Sequence, residues 1–354
     1  MLKKFAIVGS EGITYDSLSK HYPEIIKYLC EMGLTHTSID DCEGLIFINY
    51  HRQSYIKYKN LGKDLQNLVL IRLEPFAVFP RQYSKSIESK FGLILDPGQG
   101  LGECDMKDFI GWPYKYHQNP ALPNALNPSL LVASNNIRSY KNFTYENWEK
   151  KKSKIVLIAA NKVSPTSKSN YKLRRKIARE MNPTEIDIYG DLWTSSVIEK
   201  IRHRIAIALN ALKTGYMPNI AELYGCLLTH YPNAIGAVAN KQVILRQYKY
   251  SLVVENSSTY CSEKLFDAIL NGCIPIYVGP KNYEISLPAN LFHWSNGSVD
   301  DIRSFVISLT PEKIKAMLKA MEDFTNSPTY IDSWDNDKVY FKIAKRIFAH
   351  WRIS

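Results

Sequence analysis

The chain has 354 residues, 45% of them hydrophobic, and carries a formal net charge of +11 at pH 7. This length exceeds the roughly 250–300 residues at which a single hydrophobic core usually stops growing, so we expect two domains. The basic charge favours an anionic partner: nucleic acid, an acidic membrane surface or a phosphorylated substrate. No RRM, KH, zinc-finger or helix-turn-helix signature accompanies the charge, which argues against nucleic acid.

From the sequence we expect neither a targeting signal nor a metal site built from cysteines. No apolar run approaches the roughly 18–20 residues that span a bilayer, and the chain enters a predicted strand without the apolar core of a signal peptide. We therefore expect a cytoplasmic protein. The six cysteines form no CxxC pair and have no nearby histidine at metal-binding spacing, which predicts reduced packing residues, with neither a zinc site nor a disulfide framework.

Short apolar strands alternate with helical patterns in the first part of the chain. The predicted strands are Lys4–Val8, Gly44–Asn49, Leu68–Leu73 and Phe91–Leu95. This alternation predicts an α/β fold with a doubly wound parallel sheet.

Glu74 follows the strand Leu68–Leu73 directly and precedes Pro75, which cannot continue the ladder. A carboxylate in this place lies at the carboxyl edge of a parallel sheet, where ligands bind in open α/β folds. The simpler alternative is a solvated loop residue.

A second α/β region follows a polar segment, Tyr140–Ser153, that we interpret as an interdomain linker. The region contains a predicted helix, Tyr171–Met181. Arg174 and Arg175 lie near its beginning, where the helix dipole favours anions, and arginine can grip a phosphate with two parallel hydrogen bonds. The apolar spacing of the helix favours Arg174 without excluding Arg175. The alternative is a solvated basic helix face.

A long amphipathic helix is predicted over Ser195–Thr214. We expect its apolar stripe to belong to the core. The stripe consists of Ile198, Ile201, Ile205, Leu209 and Leu212.

The stretch Lys249–Glu284 is predicted to form a strand over Tyr250–Val254, a polar loop, a helix over Glu263–Leu270 and a second strand over Ile274–Val278. Ser262 can cap the helix, and Gly272 can take the left-handed conformation that ends it. Two strands joined by one helix form a right-handed βαβ unit, whose ligand-binding end is here the loop Asn256–Cys261. Lys264 lies in the first helical turn, where a cation costs about 0.3–1 kcal/mol unless an anion binds there. Glu263 suits the dipole and can accept a hydrogen bond from a ribose or sugar. The alternative is an ordinary helix start with a solvated lysine.

These residues resemble the donor-binding signature of the α1,3/α1,4-fucosyltransferases. That pattern is an aromatic-rich strand, Glu-Asn-Ser/Thr, a spacer, Tyr, two residues, Glu-Lys, a helix, a Pro-containing strand and Gly. The matching positions are Glu255-Asn256-Ser257, Tyr260, Glu263-Lys264, Ile274-Pro275-Ile276 and Gly279. At Cys261-Ser262 the chain departs from the Val-Thr of many members, and the spacer is slightly shorter than in some bacterial members.

The resemblance implies an inverting glycosyltransferase of the bacterial type that needs no metal or other cofactor. It implies the GT-B architecture, in which two Rossmann-like domains face each other across a cleft. Residues 1–145 would bind the saccharide acceptor and residues 146–334 the donor, GDP-fucose. Fucose would be transferred to a hydroxyl of the acceptor, and surface-glycan synthesis, such as that of lipopolysaccharide, is the expected setting.

The resemblance also assigns roles to the candidate residues. Glu74 corresponds to the proposed catalytic base. An arginine at the position of Arg174 or Arg175 contacts the donor diphosphate together with Lys264. The remaining donor-binding residues are Asn256, Tyr260 and Glu263.

The last segment, residues 335–354, is predicted to be a basic amphipathic helix that docks across the domains or lies on an anionic membrane. Its apolar stripe consists of Tyr340, Ile343, Ile347 and Trp351. Asp335-Asn336-Asp337 at its start has the Asp-x-Asp form of metal-dependent glycosyltransferases, although a helix cap is the simpler interpretation. Two rival functions stay open. One is a transferase for another nucleotide sugar, with a metal bound by Asp335 and Asp337, and the other is a non-enzymatic polyanion-binding protein.

Overall fold

The computed structural model describes residues 2–9, 23–72, 74–95, 143–164, 166, 169–213, 230–238, 240–258, 261–280, 287–288, 290–328, 330 and 336–353. The chain divides into two compact units. The first consists of residues 1–113 with 331–354, and the second of residues 114–330.

Each unit is built on a parallel β-sheet. The strands of the first sheet are β1 (Lys4–Gly9), β2 (Thr35–His36), β3 (Gly44–Ile48), β4 (Leu68–Ile71) and β5 (Leu93–Leu95). The strands of the second are β6 (Lys152–Ile158), β7 (Ile186–Tyr189), β8 (Ala234–Gly236), β9 (Tyr248–Val254), β10 (Ile274–Val278) and β11 (His293–Trp294). The parallel sheets that the sequence predicts are confirmed.

Helices connect these strands. They are α1 (Pro23–Glu31), α2 (Arg52–Asn60), α3 (Lys85–Glu88), α4 (Tyr145–Glu149), α5 (Tyr171–Glu180), α6 (Val197–Lys213), α7 (Lys241–Leu245), α8 (Glu263–Leu270), α9 (Val299–Ile307), α10 (Pro311–Thr325) and α11 (Asn336–Ile353). Short 3-10 helices lie at Leu65–Asn67 and Pro80–Tyr83.

The order of the strands fixes where each sheet can bind a ligand. The first sheet has the order β2-β1-β3-β4-β5 and the second the order β11-β10-β9-β6-β7-β8. Counted from its own first strand, the second sheet is 3-2-1-4-5-6, the doubly wound dinucleotide-binding order. The strands from β6 to β8 are added towards one edge of the sheet and those from β9 to β11 towards the other, so the order of strand addition reverses between the adjacent strands β6 and β9. Because ligands bind beyond the carboxyl ends of strands at such a reversal, the loops after β6 and β9 form the expected binding site of the second sheet.

The terminal helix α11 completes the core of the first unit. Its predicted stripe, Tyr340, Ile343, Ile347 and Trp351, is at most 2% exposed and belongs to a cluster with strand residues of the first sheet. The ring of Trp351 lies against Gly44, where a Cβ atom would meet the ring at 2.8 Å. The stripe is therefore buried in protein. Asp335 and the side chain of Asp337 lie outside the described part of the chain.

Helix α6 contradicts the prediction that its apolar stripe is buried. Ile198 is 63% exposed, and Ile205 and Leu209 are each 53% exposed. Lys200 and Arg204, on another side of the helix, are buried instead. The apolar period identified the helix correctly, but it did not determine which side faces the protein, because that depends on the elements packed against it.

The segment interpreted as a linker contributes to the second unit. Residues 145–149 form helix α4, whose Trp148 is buried and donates from Nε1 to Lys249 O at 3.0 Å. The side chain of Trp148 also packs edge-on against Tyr250. Trp148 therefore holds this segment against β9, and Lys151 holds it to the end of α8 by donating to Asn271 O and Gly272 O.

Candidate donor-binding site

The strand-loop-helix-strand unit predicted after residue 249 is confirmed. Helix α8 and strand β10 have the predicted bounds. Ser262 caps α8, because its Oγ accepts a hydrogen bond from Lys264 N at 3.4 Å. Gly272 ends the helix at φ +64°, the left-handed conformation that glycine adopts at low cost. The loop between β9 and α8 thus lies at the carboxyl edge beside the reversal point.

Arg174 reaches from α5 to the end of β9. Its Nε donates to Val254 O at 3.1 Å, and its Nη2 donates to the same oxygen at 2.5 Å and to Asn256 Oδ1 at 2.8 Å. Burial lowers the pKa of this guanidinium, while Tyr171 and Glu255 favour its charged form. The structure therefore brings together two of the predicted donor contacts, Arg174 and Asn256.

Arg175 points to a different loop. Its Nη1 donates to Lys162 O at 2.7 Å, in the segment that follows β6. Arg174 and Arg175 are 3% and 2% exposed, so the interpretation of this pair as a solvated basic face is wrong. Of the two arginines that the sequence left open, Arg174 is the one that contacts the loop after β9.

Glu255 follows β9, and its completely buried side chain lies against the N-terminus of α8. It accepts hydrogen bonds from Ser262 N at 2.8 Å and from Ser262 Oγ at 2.7 Å. The Nζ of Lys264 lies 2.8 Å from Ser262 Oγ and 3.8 Å from Glu255 Oε2. Burial raises the pKa of Glu255, although Lys264 and both Ser262 hydrogen bonds favour the ionised form. The chain thus holds an ammonium at a helix N-terminus, where the dipole would also attract an anionic ligand.

Lys241, at the start of α7, was not identified from the sequence. Its Nζ lies 3.4 Å from Glu263 Oε1 and forms a closer ion pair with Asp267. Burial by itself would lower the pKa of Lys241, but Asp267 and Glu263 together raise it above its ordinary value. A sequence signal for Lys241 exists: like Lys264, it is a cation in the first turn of a helix, where the dipole disfavours it unless an anion is near.

A cavity of about 230 Å³ lies between β9 and the helices α7 and α8. Its charged lining residues are Lys241, Glu263, Lys264 and Asp267. Its other walls come from Leu245 and from strand residues such as Leu252 and Val253. Glu263 and Lys264, both predicted to contact the donor, therefore border one space. Tyr260, the remaining predicted contact, lies outside the described residues.

Glu74 lies just beyond β4 in the first unit, as the sequence indicates. Its backbone N–H donates to Asn49 Oδ1 at 3.1 Å, and its carbonyl accepts from Gln82 Nε2 at 2.8 Å and from Tyr83 Oη at 3.0 Å. Asn49 follows β3, so these bonds fix Glu74 where two neighbouring strands end. The role of Glu74 as a base stays a prediction.

A neighbouring carboxylate is already paired. Glu88 Oε1 accepts a hydrogen bond at 2.7 Å from Arg72, which is 2% exposed and also donates to Gln82 O. The guanidinium of Arg72 lies over the ring of Tyr83, with its carbon 4.3 Å from the ring centre. Glu88 thus neutralises a buried cation, whereas Glu74 is positioned through its backbone.

The described residues contain neither a membrane-spanning helix nor a metal-binding cluster. None of the helices within these ranges is long and apolar enough to cross a membrane. In the same ranges, no group of three or more His, Cys, Asp or Glu side chains could hold a metal ion.

Comparison with known proteins supports a glycosyltransferase fold. No family model matches the chain. A fucosyltransferase-like protein of Arabidopsis thaliana is 31% identical over 91 residues, which cover 25% of this chain and 15% of that protein. A solved α1,3-fucosyltransferase has a TM-score of 0.50 and 14% identity, with 98% of this chain and 90% of that one covered.

The Anabaena protein Alr3699/HepE, solved with UDP and glucose, has a TM-score of 0.53 and 9% identity, covering 99% of this chain and all of that one. The chain has the GT-B glycosyltransferase fold. The two parallel sheets described above are the Rossmann-like domains that this GT-B fold requires, so the predicted fold class is confirmed. Within it, the arginine, lysine and carboxylate cluster lies at the reversal point of the second sheet.

Proposed function

We propose that the chain is an inverting glycosyltransferase that moves fucose from GDP-fucose to a hydroxyl of a saccharide acceptor, in surface-glycan synthesis. The observation that carries the proposal is the arrangement at the second sheet's reversal point. There Arg174, Asn256 and Lys264 surround the carboxyl end of β9 and the N-terminus of α8. A fixed guanidinium, a fixed ammonium and a helix dipole at one edge are suited to a nucleoside diphosphate.

The chemistry follows from these charges. The acceptor oxygen forms a bond to the anomeric carbon as the bond from that carbon to the β-phosphate oxygen breaks. GDP leaves with the bonding electrons, and Arg174 and Lys264 stabilise its growing negative charge. Glu74 takes the acceptor's hydroxyl proton as its general base. The products are a fucosylated acceptor, GDP and a protonated Glu74.

A different nucleotide sugar is the second candidate donor. The likeness to the Anabaena protein solved with UDP and glucose favours it, because that likeness has the same fold and a similar TM-score. The charges around β9 are suited to any nucleoside diphosphate.

A thermal-shift panel with GDP-fucose, GDP-mannose and UDP-glucose, each with and without EDTA, tests the proposal. A donor at 100 times its dissociation constant adds about 2.7 kcal/mol of stability. We expect the largest shift with GDP-fucose and no effect of EDTA. A larger shift with UDP-glucose would favour the second candidate, and no shift with any nucleotide would refute nucleotide-sugar binding.

Two matched lysine variants test whether the predicted phosphate contact is specific. Lys264→Met should weaken GDP-fucose binding at least about tenfold, because a charge-assisted hydrogen bond contributes about 1.5–3 kcal/mol. Lys172→Met, on the exposed side of α5, should bind the donor as the unchanged protein does. Equal affinities of the two variants, measured by isothermal titration calorimetry, would contradict the role of Lys264.

A further inference from the structure

A buried charge network joins α7 to α8 beside the proposed donor site. Lys241 is the first residue of α7, and its Nζ contacts both Asp267 and Glu263 Oε1, the latter at 3.4 Å. The three side chains are 17%, 5% and 20% exposed, respectively. Asp267 is therefore the inner partner of the cation, and Glu263 the outer one.

The positions of the two carboxylates suggest different roles. Glu263 and Asp267 are four residues apart on α8, so they lie on one face of the helix. Asp267 alone can balance the charge of Lys241. Glu263 is the first residue of α8, and its carboxylate lies farther from Lys241 Nζ than that of Asp267. It borders the 230 Å³ cavity together with Lys241 and Lys264.

Fixing Glu263 in advance would favour binding. A free glutamate side chain loses up to about 1.5–2 kcal/mol of rotamer entropy when it is held in one geometry. If the chain already holds the carboxylate, the ligand does not bear that cost. Lys241 contacts the carboxylates of both Glu263 and Asp267, so it is placed to hold Glu263 in one orientation.

We propose that Lys241 is a positioning residue that, anchored by Asp267, orients Glu263 to accept a hydrogen bond from a ribose hydroxyl of the donor nucleotide. This inference rests on the proposed function, since it requires a nucleotide in the site. It assigns the specificity for the ribose to a chain of three side chains, of which only Glu263 touches the ligand.

The competing explanation is that the network only ties α7 to α8. Removing Lys241 alone would leave Asp267 buried without its cation, which costs about 3–5 kcal/mol in comparable pairs. The double variant Lys241→Met/Asp267→Met avoids this difficulty, because replacing both members of a buried pair by apolar groups is often neutral. Thermal unfolding establishes that each variant is folded before binding is measured.

The test compares GDP with its 2′-deoxy and 3′-deoxy forms by isothermal titration calorimetry. The unchanged protein should bind GDP at least about tenfold more tightly than one deoxy form, equivalent to about 1.4 kcal/mol. In the double variant this ratio should fall below about twofold, because Glu263 is no longer held in place. In Glu263→Gln it should fall as far, because the charged acceptor itself is removed. Lys241→Arg should retain most of the ratio.

The outcomes separate the two proposals. A folded double variant that keeps the tenfold ratio overturns the inference and leaves the network structural. An unchanged protein that binds GDP and both deoxy forms equally also overturns it, while the proposed function stands. If the unchanged protein binds no guanine nucleotide, GDP-fucose is wrong as the donor and the inference falls with it.

Discussion

Arg174 and Arg175 are neighbours in sequence and almost equally buried, yet they bond to different loops. Arg174 donates to Val254 O and Asn256 Oδ1, whereas Arg175 donates to Lys162 O. Successive helical residues point about 100° apart, so the two side chains leave the helix in different directions. Because their partners differ, variants of the two arginines can show which one contacts the donor.

We expect Arg174→Met to reduce donor affinity at least about tenfold, because a fork of charge-assisted hydrogen bonds is removed. Arg175→Met should change donor affinity less than about threefold. Both variants should lower the melting temperature by similar amounts, since both arginines are buried. Titration calorimetry and thermal unfolding measure the two effects. Equal losses of affinity would contradict the assignment of Arg174.

Glu74→Gln keeps the shape of the side chain and removes the proposed base. A general base contributes about 10²–10⁴-fold to rate, so we expect turnover to fall at least about 100-fold. Donor affinity should be unchanged, because the donor contacts lie in the second unit. A single-turnover transfer assay with a saccharide acceptor measures the chemical step.

The matched control for this variant is Glu88→Gln. Because Glu88 pairs with the buried Arg72, its loss should lower stability but keep turnover within about threefold of the unchanged enzyme. A folded Glu74→Gln protein with more than about a tenth of normal turnover would end the assignment of Glu74 as base.

Glu255 makes stability depend on pH. Burial raises its folded-state pKa above the ordinary 4.5, so the folded protein binds this proton more tightly than the unfolded chain does. The protonated Glu255 carboxyl therefore contributes to the free energy of unfolding. This contribution is fully present below the unfolded-state pKa and is lost as the pH rises through the folded-state pKa. Relative to Glu255→Gln, the unchanged protein should therefore lose stability as the pH increases above 4.5.

Urea unfolding of both proteins between about pH 4 and pH 7 measures this difference. Glu255→Gln retains a side chain that can still accept a hydrogen bond from Ser262. If the unchanged protein instead gains stability with rising pH, the attraction of Lys264 outweighs burial, and the carboxylate is stabilised in its ionised form.

At the scale of elements, α11 shows how a segment distant in sequence completes a core. Ile347 is 0% exposed within the first unit, and Trp351 Nε1 donates to Asn67 O at 3.1 Å. We expect Ile347→Ala to cost about 2–5 kcal/mol, the usual range for a large side chain truncated in a core. Its exposed neighbour supplies the control: Arg346→Ala should change stability by less than about 0.5 kcal/mol.

Urea unfolding measures the free energy of both point variants. Thermal unfolding compares their melting temperatures with that of a protein from which residues 335–354 are deleted. If α11 were an exposed membrane-binding helix, Ile347→Ala and the deletion would leave the melting temperature unchanged. We expect both to lower it, and the deletion to lower it more, because it removes every buried side chain of the stripe.

Helix α6 behaves in the opposite way to α11, although both have an apolar stripe. The stripe of α11 is buried, whereas Ile198, Ile205 and Leu209 of α6 are exposed. The periodicity of an amphipathic helix shows that one side is apolar and the other polar. Which side is covered depends on elements that come from elsewhere in the chain.

At the scale of the whole molecule, two parallel sheets of different strand order form the GT-B fold. The second sheet has the 3-2-1-4-5-6 order, so its reversal point lies between β6 and β9. The loops after these two strands are joined by Asn170 N–H, which donates to Asn256 O at 2.9 Å. The donor site therefore follows from the strand order as much as from the motif in the sequence.

The sequence by itself determined the elements whose signals are local. The bounds of α8 and β10, the Ser262 cap and the left-handed Gly272 all depend on residues within a few positions of each other. Glu263 and Lys264 could be selected in the same way, from a cap, a dipole and a family resemblance. These parts of the site needed no knowledge of the strand order.

Only the tertiary structure decided which distant residues meet. The bond from Arg174 to Val254 O joins positions 80 residues apart, and the pairing of Lys241 with Glu263 crosses from one helix to another. The burial of α11 in the first unit is likewise set by packing. Such contacts depend on strand order and on which helix faces are covered, and these are fixed by the burial of the whole core, which no local pattern in the sequence records.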